Sequence, residues 1–193
     1  MASPTEITPI QLARLIGTPD CPTLIDTRLD EDFADDPHLL PGAIRCGHLE
    51  TETLPTDRKY VLYCQKGLKI SQGAVAHLRC RGIDAENLEG GQFAWRDANL
   101  PMIPAAKLPP RDASGRTLWV TRQRPKIDRI ACPWLIRRFI DPAARFLFVS
   151  PAEVQGVADR YNATPFDMEG IFWSHREDLC TFDVMVGEFG LTL

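Results

Sequence analysis

Over roughly its first hundred residues the sequence alternates short β-rich runs with helix-forming stretches, a pattern that few folds accommodate. "TPIQLARLIG" offers Thr8 as a helix N-cap, Pro9 at the first helical position and Gly17 as the stop. "TLIDTR" is β-rich, "DEDFADD" is an acidic turn or short helix, and "PGAI" is a loop leading into another extended segment. The strand "YVLY" is followed by "SQGAVAHLRCRG", with Ser71 as its cap, Ala74, Val75 and Leu78 on one face, and Gly82 at its end. "AENL" reads as a further strand and "GGQFAW" as the start of a last helix. Strands joined through helices run parallel, so the expected fold is α/β, a mainly parallel sheet flanked by helices on both faces.

The pattern is interrupted at "NLPMIPAAKLPPRDASGR", whose four prolines, Gly115 and few large apolar residues predict a semi-extended linker. Beyond it "TLWVT" and "RFLFV" read as strands. "KIDRIACPWLIRRFID" reads as a helix perturbed by Pro133, and "PAEVQGVADRY" as a helix opened by Pro151. A length of 193 residues suits one full domain and a smaller one. The expected division is residues 1–103, a linker over 104–116, and a second, smaller α/β unit over 117–193.

Composition excludes several classes. A net charge of −4 with 44% apolar and 25% charged residues argues against disorder and against general nucleic-acid binding. No run reaches the ~20 apolar residues of a membrane helix. "MASPTEITPI" has no basic start leading into an apolar core, so a cytoplasmic protein is expected. The six cysteines, Cys21, Cys46, Cys64, Cys80, Cys132 and Cys180, include no CxxC pair, and in a reducing compartment they are expected as buried small hydrophobes, not disulfides.

Cys64 differs from the other five in position, because it follows the strand "YVLY" at its carboxyl end, the side of an α/β sheet where ligands bind. Loop amides that converge just before a helix start favour thiolate over thiol. Gly67 lets the loop curl, and Lys66 and Lys69 add positive charge. On the loop alone, a nucleophile and a buried strand-end thiol stand level as readings.

"LIDTR", "LLPGAI", "YVLYCQKGLKIS" and "LEGGQFAW" occur in the order and approximate spacing of a single rhodanese domain, which residues 5 to 103 resemble. The resemblance implies a rhodanese fold with Cys64 as the catalytic, persulfide-carrying cysteine. It also implies Gln65, Lys66, Gly67, Leu68, Lys69 and Ile70 as the substrate-binding loop, with Asp26 and Arg28 as structural support. Trp95 and the Gly90–Gly91 turn match structural positions of that family, and His38 falls away from the family's usual site. Lys69 stands where Arg, Thr or Ser is common, keeping charge but not a bidentate grip. Ile70, not Arg, is the sixth residue after Cys64, which disfavours the Cx5R chemistry of phosphate-ester hydrolysis.

"WVTRQRPKIDRIACPWLIRRFIDPAARFLFVSP", "ATPFD" and "SHREDLCTFDVMV" closely resemble the C-terminal domain of chromate resistance proteins of the ChrB type. Related domains run further, so the chain is expected to stop inside this domain. Here Arg122, Arg124, Lys126, Arg129, Arg137 and Arg138 crowd one segment. Arg124, Arg137 and Arg138 are candidate oxyanion ligands for chromate or sulfate, the alternative being a solvated basic face paired with the acidic residues that follow. Asp128 and Cys132 share a helix face and His175 and Cys180 follow. A mixed metal or redox cluster is one reading, but no ligand spacing supports it, so no metal is assigned and a buried Cys132 in the core is the other.

Together these resemblances imply a sulfurtransferase in a chromate-resistance context, needing no cofactor. Its partners would be a small-molecule sulfur donor and a thiol or cyanide acceptor, with chromate as a further candidate ligand. The rival reading is a chromate-responsive, oxyanion-binding or redox-sensing regulator with the rhodanese unit as scaffold. A cysteine retained at the strand end favours the enzyme.

Overall fold

The computed structural model describes residues 5–47 and 50–192, apart from the side chain of Glu52. Residues 1–4, part of the stretch read for an export signal, and residue 193 lie outside the described residues. The chain divides into two compact units after Ala105. No helix among the described residues is long and apolar enough to cross a membrane.

In the first unit the elements are β1 (Glu6–Ile7), α1 (Pro9–Leu15), β2 (Thr23–Asp26), α2 (Asp30–Asp35), β3 (His38–Leu39), β4 (Ile44–Arg45), β5 (Tyr60–Tyr63), α3 (Lys69–Cys80), β6 (Ala85–Leu88), α4 (Gly91–Asp97) and β7 (Ile103–Pro104). Five strands form a parallel sheet in the order β1-β6-β5-β2-β4, and β3 pairs antiparallel with β7. Thr8 caps α1 in a capping box with Gln11, and Pro9 opens the helix. Every residue of the central strand β5 is buried, as befits a strand covered on both faces. Ala74, Val75 and Leu78 of α3 pack with Ile25, Tyr60, Leu62, Ile83 and Ala85 in one core cluster.

One local reading changes. The sequence makes Ser71 the cap of α3, but the N-cap is Leu68 and Ser71 lies buried inside the first turn. Its hydroxyl is thereby released from capping.

The second unit contains β8 (Leu118–Arg122), α5 (Asp128–Leu135), β9 (Arg145–Val149), α6 (Val154–Tyr161), β10 (Thr164–Pro165) and α7 (Thr181–Glu188). Its three strands are parallel in the order β10-β8-β9. The expected helix perturbed by Pro133 is a regular α5 running through the proline, then a π-helical turn, Ile136–Ile140. Proline cannot donate to the ladder, and the wider turn follows that defect. Trp119 packs edge-on against Phe166 and Trp173, and Trp173 stacks on Phe189 at 4.6 Å, tying α7 to the sheet.

Candidate functional site

Cys64 follows the last residue of β5 and is only 5% exposed. The loop beyond it is clamped from outside. The amide of Gln92 donates to the Cys64 carbonyl at 3.0 Å, that of Phe93 donates to the Gln65 carbonyl at 3.0 Å, and Asn87 Nδ2 donates to the Gly67 carbonyl at 2.9 Å. In a trans peptide the carbonyl of one residue and the N–H of the next point opposite ways. Holding the Gln65 and Gly67 carbonyls outward therefore turns the amides of Lys66 and Leu68 inward, onto the sulfur.

Close approach of the loop to the start of α4 requires glycine on both sides. Gly67 has φ +66°, and a Cβ there would lie 2.5 Å from both the Gly91 nitrogen and the Leu88 oxygen. Gly91 has φ +59°, and a Cβ there would lie 2.3 Å from both the Cys64 oxygen and the Gly67 nitrogen.

Ser71 completes the cradle. Its hydroxyl donates to Cys64 Sγ across 3.2 Å, and its amide, in the first turn of α3, has no partner within the helix. Burial pushes the Cys64 thiol up. The Ser71 hydroxyl and the amides of Ser71, Leu68 and Lys66 outweigh burial and hold the thiol below its ordinary value. The Lys66 and Lys69 side chains are exposed, Ile70 is half-buried, and Leu68 is 53% exposed beside the cysteine loop. Together these groups set a buried thiol in a ring of N–H and O–H donors.

Asp26 and Arg28 stand behind the sheet end as a fully buried ion pair, with Arg28 Nη2 2.6 Å from Asp26 Oδ2. The same guanidinium donates to the carbonyls of Asp36 and His38, so it pins the segment between α2 and β3. His38 itself is partly exposed and hydrogen-bonded to Asp36. Trp95 is buried, its Nε1 donating to the Pro101 carbonyl at 2.9 Å.

A second cluster of polar side chains lies in the other unit, around the buried Thr181 at the start of α7. The Thr181 amide donates to Asp128 Oδ2 at 3.1 Å, and its hydroxyl meets Asp167 Oδ1 at 3.0 Å and His175 Nδ1 at 3.1 Å. Arg129 is 7% exposed with Nε 3.1 Å from Asp167 Oδ2, an ion contact whose angle does not make a hydrogen bond. Arg122 donates to the Asp167 carbonyl at 3.0 Å. Cys132, fully buried, has its thiol pushed far up by burial and by the nearby Asp128, Asp167 and Cys180.

Residues 8–98 match the family model of the rhodanese-like domain, and residues 119–193 match that of the ChrB C-terminal domain. The chain joins a rhodanese-like domain to a ChrB C-terminal domain. Protein ChrB of Cupriavidus metallidurans is 37% identical over 139 residues, covering 61% of this chain and 41% of that protein. A tRNA sulfurtransferase of Desulfurococcus amylolyticus is 36% identical over 95 residues, covering 49% of this chain and 19% of that protein. The chain thus spans less than half the length of either relative. A thiosulfate sulfurtransferase from Pseudomonas aeruginosa, known from its crystal structure, is 30% identical with a TM-score of 0.45, covering 53% of this chain and 20% of that one.

Within the rhodanese-like domain, sequence reasoning singled out the cysteine and its loop but gave Ser71 only a capping role. The available signal was a hydroxyl two residues into the helix after the loop, close enough to reach back. Within the ChrB C-terminal domain, Arg124 sits exposed before α5, whereas Arg137 and Arg138 occupy the π-helical turn at its far end. Arg137 Nε donates to the Ala144 carbonyl and its guanidinium lies over Phe146. The structure brings Asp128 and His175 together as the sequence suggested, but joins them to Asp167, a residue the spacing did not single out.

Proposed function

We propose that the chain transfers sulfane sulfur from thiosulfate or a related donor to a thiophilic acceptor through a persulfide on Cys64. The observation that carries this reading is the Cys64 sulfur facing the Ser71 hydroxyl and the amides of Ser71, Leu68 and Lys66. The Cys64 thiolate attacks the outer sulfur of the donor, the donor's S–S bond breaks, and sulfite leaves with the bonding pair. The outer persulfide sulfur is then attacked by cyanide or a thiolate, and the Cys64 thiolate is regenerated with its electron pair. In the persulfide the negative charge moves to the terminal sulfur, about 2 Å beyond Sγ, and the N–H groups of the same loop stabilise it there. Gln65, Lys66, Gly67, Leu68, Lys69 and Ile70 shape the entrance, and the exposed Lys66 and Lys69 attract the donor anion. The match to the rhodanese-like domain and the likeness to a tRNA sulfurtransferase support this chemistry. The ChrB likeness supports a chromate-resistance setting for it.

Intact mass after incubation with thiosulfate tests the reading. One sulfur should be added to the native chain and none to Cys64→Ser, and thiocyanate formation from cyanide should disappear with the same substitution. Sulfur uptake that survives in Cys64→Ser, or no uptake by the native chain, would overturn it. In the latter case, oxidation of Cys64 by chromate in the same protein would favour the redox-sensing alternative.

A further inference from the structure

We infer that Asp128, Asp167 and His175 form a binding site for a first-row divalent transition-metal ion in the ChrB C-terminal domain. The three come from separate places: Asp128 opens α5, Asp167 lies beyond β10, and His175 precedes α7. One oxygen or nitrogen from each falls within 4.8 Å of the others.

The hydrogen bonds around Thr181 prepare the imidazole for this role. The Thr181 hydroxyl has one proton, and an ionised carboxylate only accepts, so that proton goes to Asp167 Oδ1. The contact between Thr181 Oγ1 and His175 Nδ1 at 3.1 Å then requires Nδ1 to be the donor. In the neutral ring, Nε2 is left with its lone pair, 3.5 Å from Asp128 Oδ2. That gap is too long for a hydrogen bond and sets two lone pairs against each other. It is also the separation of two ligands bound to one ion at about 2.1 Å in tetrahedral geometry. A hydrogen bond on the far nitrogen is how metal-binding histidines are generally oriented.

The arginines beside the cluster hold only one side of Asp167. Arg129 is more than nine-tenths buried, yet its Nε, 3.1 Å from Asp167 Oδ2, makes no hydrogen bond. The arginines engage Oδ2 of Asp167, through Arg129 at 3.1 Å and Arg122 at 3.6 Å, and leave Oδ1 on the side of His175. They also neutralise part of the carboxylate charge, so an incoming ion meets a moderate field. His175 and Asp167 border an open cleft of about 440 Å³ that Arg122 and Glu169 also line. Remaining coordination positions therefore face solvent, and water would fill them.

The donor set selects the ion. Two carboxylates and an imidazole suit Mn²⁺, Fe²⁺, Co²⁺ or Zn²⁺, whereas Cu⁺ seeks thiolates, which this set lacks.

Titration of the chelator-treated full chain with Co²⁺, read by its visible d–d absorption, tests the inference, with Zn²⁺ as competitor. One equivalent should bind and be displaced by Zn²⁺. His175→Gln, at a side chain 58% exposed, should fold normally and weaken binding at least about tenfold, as should Asp128→Asn. Cys64→Ser should bind as the native chain does, which separates this outcome from the sulfur-transfer experiment. Absence of saturable Co²⁺ binding, undiminished binding in both variants, or a near-ultraviolet thiolate-to-cobalt band would each overturn this ligand set.

Discussion

Cys64 and Cys132 are both buried, at 5% and 0% exposure, and their thiols are driven in opposite directions. Burial alone raises a thiol, and for Cys132 the carboxylates of Asp128 and Asp167 add to it. At Cys64 the same desolvation is overcome by donors aimed at one atom, the Ser71 hydroxyl and amides whose orientation is set by Phe93 and Asn87 on the outside of the loop. Which way a buried thiol shifts is therefore decided by the dipoles that face it, and a thiol can be lowered without any charged side chain touching its sulfur.

The largest break in this contrast should come from Gly91→Ala. Its new Cβ, 2.3 Å from the Cys64 oxygen and the Gly67 nitrogen, must displace the loop, and sulfur transfer should fall about 100-fold, the scale of an ångström-level misplacement. Thiocyanate assays beside a thermal melt check whether activity falls further than stability does. Ser71→Ala removes one charge-assisted hydrogen bond, so alkylation of Cys64 near neutral pH should slow about tenfold, with its pH midpoint moving up. Cys132 in the same protein should stay unreactive in both variants until denaturant is added, which peptide mapping after iodoacetamide labelling would show.

The two thiols should also tilt stability against pH in opposite senses. The folded-state pKa of Cys64 is depressed, so its contribution is full above the pKa of an unfolded cysteine and is lost as pH falls through the folded value. The folded-state pKa of Cys132 is raised, so its contribution is full below the unfolded value and is lost as pH rises toward the folded one. With chelator present, Cys132→Ala should flatten the alkaline decline by at most about 1.4 kcal/mol per pH unit, and Cys64→Ser should flatten the rise below it. Urea melts across the alkaline range measure both slopes. The smallest effect belongs to Lys69→Ala: the side chain is exposed, so the Michaelis constant for thiosulfate should rise only about two- to threefold, and less at high salt.

Element order, the parallel sheet and the place of Cys64 at a strand end were legible in the sequence, because each follows from local periodicity, caps and breakers. Thr8, Pro9 and Gly17 announce α1, and "YVLY" before a glycine loop announces β5 with Cys64 at its end. Ser71 was misread as a cap because hydroxyl residues favour that position, and only the true start of α3 at Lys69 aims it at the sulfur. The basic segment read as possible oxyanion ligands dispersed on folding: Arg129 went inward to Asp167, Arg137 turned to the Ala144 carbonyl, and Arg124 stayed exposed. Asp128, Asp167, His175 and Thr181 carry no common spacing, and Asp167 meets the others from a left-handed backbone, φ 54°. The sequence by itself determined what short stretches of chain do through their own dihedral preferences. Which donors face Cys64, and which side chains gather at Thr181, was decided by tertiary packing, because those orientations depend on partners far away along the chain.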